Sequence, residues 1–108
     1  MPWPVYSQRF DARTITTHDV WVDAYTVPTG STALVRFVTV INTGADTSVL
    51  ILGYGSGHQV LRWAALAPGD VIALPVWIVF QEGETIQWQA HLSSFQTSLH
   101  GQVLSSVA

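Results

Sequence analysis

With 108 residues, 48% hydrophobic and only 10% charged, the chain fits one domain large enough to bury a core, and the lack of any cysteine excludes disulfide staples. Its net charge is −3, it has no lysine, and its four arginines, Arg9, Arg13, Arg36 and Arg62, are scattered along the sequence, which excludes the concentrated positive field that a nucleic-acid backbone requires. A charged fraction well under the roughly 25% of an average soluble domain leaves much surface without ions, so part of it is expected to be covered by partners.

The first ten residues have neither a basic start nor an apolar run of signal-peptide length, and no later run reaches the roughly 18 apolar residues of a membrane span. A soluble protein made in the cytoplasm, without membrane insertion, is the expectation. Residues 1–17 read as an extended N-terminal arm. Pro2 and Pro4 bias the opening toward extended backbone, and Trp3, Tyr6 and Phe10 follow no helical or strand period. Such aromatics need something to lie against, either the chain's own sandwich or a neighbouring subunit.

Residues 18–108 read as a β-sandwich domain. Three times an apolar run meets a glycine turn and then a side-chain oxygen leading into the next apolar run: Val27-Pro28-Thr29-Gly30-Ser31-Thr32, Leu66-Ala67-Pro68-Gly69-Asp70-Val71 and Phe80-Gln81-Glu82-Gly83-Glu84-Thr85. Glycine supplies the positive φ of a tight reversal, and the flanking Val, Ile, Thr, Trp and Phe suit pleated surfaces. Strands are predicted from Asp19 to the Pro28 turn, from Thr32 to Asn42, from Ser48 to Tyr54, from His58 to Leu66, from Val71 to Phe80, from Glu84 to Leu92, and from Phe95 onward. Pro75 places the fifth of these at an edge or a bulge, because it cannot donate to a ladder.

Alternation assigns the faces. Ile86, Trp88, Ala90 and Leu92 share one dry face, and Phe95, Thr97, Leu99 and Val103 do the same on the last strand. The strand from Thr32 breaks the pattern, with Leu34, Val38 and Val40 on one side and Val35, Phe37 and Ile41 on the other, so both sides ask for cover. Trp3, Tyr6, Phe10, Leu34, Arg36, Val38 and Tyr54 are the expected interface residues. Trp21 and Trp77 are candidate stacking platforms, since exposed tryptophans serve sugars and protein partners alike.

No residue cluster declares a chemistry. His18, His58, His91 and His100 lack paired ligand spacing, although His91 and His100 are placed to meet across adjacent strands. The carboxylate pairs Glu82/Glu84 and Asp19/Asp23 fall at turns or strand starts, where acids serve the backbone. The Gly53, Gly55, Gly57 stretch lacks the lysine and helix of a phosphate loop. No serine stands in a nucleophile elbow. A non-enzymatic protein with no cofactor and no metal is expected.

The segment Trp77-Ile78-Val79-Phe80-Gln81-Glu82-Gly83-Glu84-Thr85-Ile86-Gln87-Trp88-Gln89-Ala90 resembles a phrase of small tailed-bacteriophage virion proteins, an aromatic-aliphatic strand, an acidic-Gly-acidic-Thr turn and a strand ending in Gln-Ala. Tyr25 to Arg36, with its Val-Pro-x-Gly opening, resembles the same proteins, as do Val40-Ile41-Asn42-Thr43 and Leu66-Ala67-Pro68-Gly69-Asp70, in the same order. The likeness covers about residues 20 to 104. It implies an all-β, antiparallel, jelly-roll-like sandwich of about seven or eight strands that serves in the virion as head decoration, spike base, collar or tail-associated subunit. Its implied partners are copies of itself and other virion proteins. The alternative expectation is a carbohydrate-binding module, with Trp21, Trp77 or Tyr54 stacking on a host-surface glycan.

Overall fold

Strands form where the β-branched and aromatic runs lie, and each sheet is assembled from strands distant in sequence. The computed structural model describes residues 5–15, 20–55 and 58–106. Its strands are β1 (Val5–Ile15), β2 (Trp21–Thr26), β3 (Ser31–Asn42), β4 (Ser48–Tyr54), β5 (His58–Leu66), β6 (Val71–Phe80), β7 (Thr85–Ala90) and β8 (Phe95–Ser106). One sheet has the order β1-β8-β3-β6 and the other β2-β7-β4-β5, every pairing antiparallel. That strand order is the jelly roll.

Residues 5–15, expected as part of an arm, are extended and run along β8 from Val5 opposite Ser106 to Ile15 opposite Gln96. Tyr6 and Phe10 stand opposite Ser105 and Gly101 in this register. Trp3 lies outside the described residues.

The repeated turn phrase does what its glycines predict. Gly30, Gly69 and Gly83 have φ of 78°, 83° and 80° and join β2 to β3, β5 to β6 and β6 to β7. Two of these turns meet at one end of the sandwich. There the Val27 N–H donates to the Glu84 carbonyl at 3.0 Å and the Gly83 N–H to the Val27 carbonyl at 2.9 Å. The acids also serve backbone. Glu82 accepts from the Gly30 N–H, Glu84 from the Gln81 N–H, and Asp70 from the Ala67 N–H at 2.7 Å.

The core holds Trp88, Phe80, Phe95, Leu50, Leu52, Ile86 and Leu99, all fully buried. Trp63 of β5 stacks on Trp88 at 6.2 Å between centroids. Leu92, expected on the dry face of β7, is instead 58% exposed. β7 ends at Ala90 and the chain turns through Leu92 at φ 44°, which breaks the alternation before it reaches this residue.

The two-sided reading of β3 needs a larger correction. Between Val35 and Phe37 the register shifts against both neighbours, Val35 facing Gly101 and Phe37 facing His100, so Arg36 is an extra residue. The bulge changes the phase of everything after it. Ala33, Val35, Val38 and Val40 all enter the core, while Leu34, Phe37 and Ile41 take the outer face. β3 therefore has one dry face throughout. Pro75, paired with Phe37, sits on the edge strand β6 beside the same irregularity, meeting both conditions expected of it.

Candidate functional site

A sandwich of two open sheets leaves four strand edges, and each row of free backbone groups invites pairing unless guarded. β1 is guarded by Arg9, Asp11 and Arg13, with Asp11 3.6 Å from Arg13 and 3.5 Å from His100. β2 is short, carries Asp23 and has a register shift before Tyr25. β5 carries Arg62 and two register shifts. β6 differs from all three: it is ten residues long and has no charged residue, and it is interrupted only by Pro75 and by the register shift that sets Val76 and Trp77 against Arg36.

The outer side of β6 is also apolar. Val71, Trp77 and Val79 are 62%, 70% and 48% exposed. Next to them on β3 stand Ile41, opposite Val71, and Leu34, opposite Val79, with Phe37 opposite Pro75. The result is an apolar stripe two strands wide ending at an unpaired strand. Arg36 lies beside it with its guanidinium 5.4 Å from the centre of the Trp77 ring. Farther across the same sheet face, Arg9, Asp11, Arg36, Phe37, His100 and Gln102 line a shallow cleft.

Of the expected interface residues, Arg36 is exposed on this outer face, Leu34 points to the same face but is only 8% exposed, and Val38 is fully buried, withdrawn from any surface by the bulge at Arg36. Tyr54 is at the far side of the sandwich, stacked on His58 at 4.9 Å and edge-on to the core ring of Phe80 at 5.9 Å, so its ring is already packed within the chain. The two tryptophans singled out as platforms occupy opposite faces. Trp77 is on the first sheet, and Trp21 lies on the second, over Gly53, near the Gln87 amide that donates to Asp23 at 2.7 Å. His91 and His100 are likewise on opposite faces: His91 neighbours Ile51 and Arg62, and His100 neighbours Arg9 and Phe37. Among the described residues no three His, Asp or Glu side chains converge as metal ligands.

Val71, Val79 and Arg9 were not singled out by sequence reasoning. In β6 both parities are aliphatic, so alternation could not say which residues face water. Arg9 takes its place on the sheet only through the pairing of β1 with β8, which joins residues some ninety positions apart.

No protein-family model and no curated protein matches the chain. Among solved structures, it is similar to a subunit from work describing Bacillus endospore appendages as a family of disulfide-linked pili, with 9% identity, 100% of this chain and 93% of that chain covered, and a TM-score of 0.58. A Drosophila NLP core, described in terms of pentamer formation and histone binding, matches at 13% identity over 92% of this chain and 96% of that one, with a TM-score of 0.49. A structure of infectious bursal disease virus, Gt strain, matches at 11% identity over 94% of this chain and 32% of that one, at 0.37. At 9% identity the likeness to the spore-appendage subunit is one of fold alone.

Proposed function

We propose that this chain is a non-enzymatic structural subunit that assembles with copies of itself, as a building block of a phage or phage-derived virion. The open, uncharged edge of β6 with its exposed Trp77 carries this reading. Exposed valine and tryptophan side chains forgo on the order of 1.5–3 kcal/mol each when left in water, and a long edge without charges offers hydrogen bonds to a compatible strand on either side of Pro75. Burying both against a second subunit removes both liabilities, with Trp77 as a typical interface anchor. The resemblance to tailed-phage virion proteins supplies the phage assignment. The spore-appendage subunit, described as forming pili, supplies a precedent for this fold in a self-assembling protein; its pili are disulfide-linked, whereas this chain has no cysteine and its contacts would be non-covalent.

Sedimentation velocity across a concentration series tests this reading. Concentration-dependent association of the native chain, weakened by Val79→Lys, is the expected result; a strict monomer at every concentration overturns it.

A second reading rests on Trp21. Its indole lies against Gly53 on the outer face of the second sheet, close to the exposed Asp23, an arrangement that suits a sugar ring with its hydroxyls. Saturable quenching of tryptophan fluorescence by a glycan, lost in Trp21→Ala, would favour that reading.

A further inference from the structure

Three of the four arginines, Arg9, Arg13 and Arg36, occupy the outer face of the first sheet, and Asp11 is the one carboxylate among them. Asp11 is engaged by Arg13 and His100. Arg9 and Arg36 have no carboxylate within ion-pair reach among the described residues, and both are exposed at the cleft. Arginines scattered in the sequence are thus gathered by the pairing of β1 with β8 into a small patch of net positive charge, on a chain whose net charge is −3.

The matching negative patch is the β6–β7 turn. Glu82 and Glu84 flank Gly83, and each is held by a backbone N–H, Glu82 by Gly30 and Glu84 by Gln81. One hydrogen bond leaves a carboxylate most of its accepting capacity, so the turn presents two oriented anions at one tip of the sandwich. Asp70, by contrast, turns inward to its own loop, and Asp46 stands alone in the β3–β4 connection. Two guanidiniums without a carboxylate partner among the described residues, one of them lying over Trp77, and two oriented carboxylates are therefore complementary in sign and number.

We propose that the Arg9/Arg36 cleft receives the Glu82–Glu84 turn of a second copy. This rests on the reading of the chain as an assembling subunit and gives that assembly a direction. Cleft and turn are different surfaces, so the contact is heterologous and repeats from copy to copy into a ring or a filament. Charge pairs at such a contact fix partner and register, and salt weakens them.

A charge-swap mixture tests the proposal. Chains carrying Arg9→Glu with Arg36→Glu have two acidic surfaces, and chains carrying Glu82→Arg with Glu84→Arg have two basic ones. Each alone is expected to assemble at least about tenfold more weakly than the native chain, and the equimolar mixture to regain assembly, because every cleft then meets a turn of opposite sign. Glu82→Gln with Glu84→Gln keeps the acceptor oxygens of the turn and is expected to weaken assembly without lowering the melting temperature. If the native chain assembles and these variants assemble as well as it does, with no rescue on mixing, the cleft proposal is overturned while self-assembly stands. A native chain that stays monomeric overturns both.

Discussion

Arg36 and Trp77 are joined across the bulge of the first sheet, the guanidinium 5.4 Å from the ring centre. The extra residue of β3 thus shields part of the most exposed aromatic of β6, which is 70% open. An exposed cation–π contact contributes about 0.5–1 kcal/mol. Arg36→Ala is expected to lower the unfolding free energy of the chain by no more than that, and Trp77→Ala by about 1 kcal/mol or less, since little burial is lost. Urea denaturation at low protein concentration measures it. A loss of several kcal/mol in Trp77→Ala would mean that this indole supports the core and is not held ready for a partner.

Pro75 interrupts the β6 edge beside its register shift, and its removal has a predictable sign. Pro75→Val gives the edge another backbone donor and a side chain that favours strands. Loss of the proline also frees the unfolded chain, at a cost of about 0.4–1 kcal/mol. The variant is expected to be slightly less stable as an isolated chain and to associate more strongly, read as a larger weight-average mass in light scattering at equal concentration. An unchanged mass would indicate that the β6 edge is not the site of contact.

The turns and most strands were legible in the sequence, because glycine at Gly30, Gly69 and Gly83 and proline beside two of them act locally. The outer surface was not. Arg36 looks like any strand arginine, and nothing nearby in sequence marks it as supernumerary. The bulge exists only in the pairing with β8, and it moves Val38 from a supposed surface into the core. The Gly53–Gly57 stretch shows the same limit. Its glycines suggest no role once a phosphate loop is set aside, yet at Gly53 the reason is close packing, visible only once β5 and Trp21 are beside it.

That packing gives a stringent test. A Cβ at Gly53 would lie 2.4 Å from the His58 carbonyl oxygen and 3.2 Å from the Trp21 ring. The first neighbour is backbone and cannot swing away, so β4 and β5 would have to part. Overpacking of this kind costs about 1–3 kcal/mol, and the rigid partner places Gly53→Ala at the upper end. Gly83→Ala meets open space and instead carries the strain of φ 80°. Thermal melting of the two variants should show the larger drop for Gly53→Ala, with changed tryptophan emission in that variant because Trp21 rests on this glycine.

Asn42 holds the opposite end of the sandwich together. It is buried, and its amide makes four contacts: Nδ2 donates to the carbonyls of Asp46 and Leu66, each at 2.8 Å, and Oδ1 accepts from the Gly44 N–H at 3.0 Å and the Ser93 hydroxyl at 2.8 Å. Its backbone N–H and carbonyl are also taken, by Asp70 and Gly69. One side chain thus ties the β3–β4, β5–β6 and β7–β8 connections, and only an amide offers two donors and two accepting lone pairs at this spacing. Asn42→Asp keeps the shape but turns two donors into an acceptor facing two carbonyls. A buried unsatisfied group costs about 1–3 kcal/mol, more when charged, so a loss of about 3–5 kcal/mol at neutral pH is expected. Burial beside carbonyls raises the carboxyl pKa of the folded variant above its unfolded value. The proton restores one donor, so the defect should be smallest in acid and grow as pH rises through the folded pKa. Denaturant titrations of native chain and variant at pH 4 and pH 7 measure the difference; a destabilisation independent of pH would mean that water reaches this end of the fold and solvates the carboxylate.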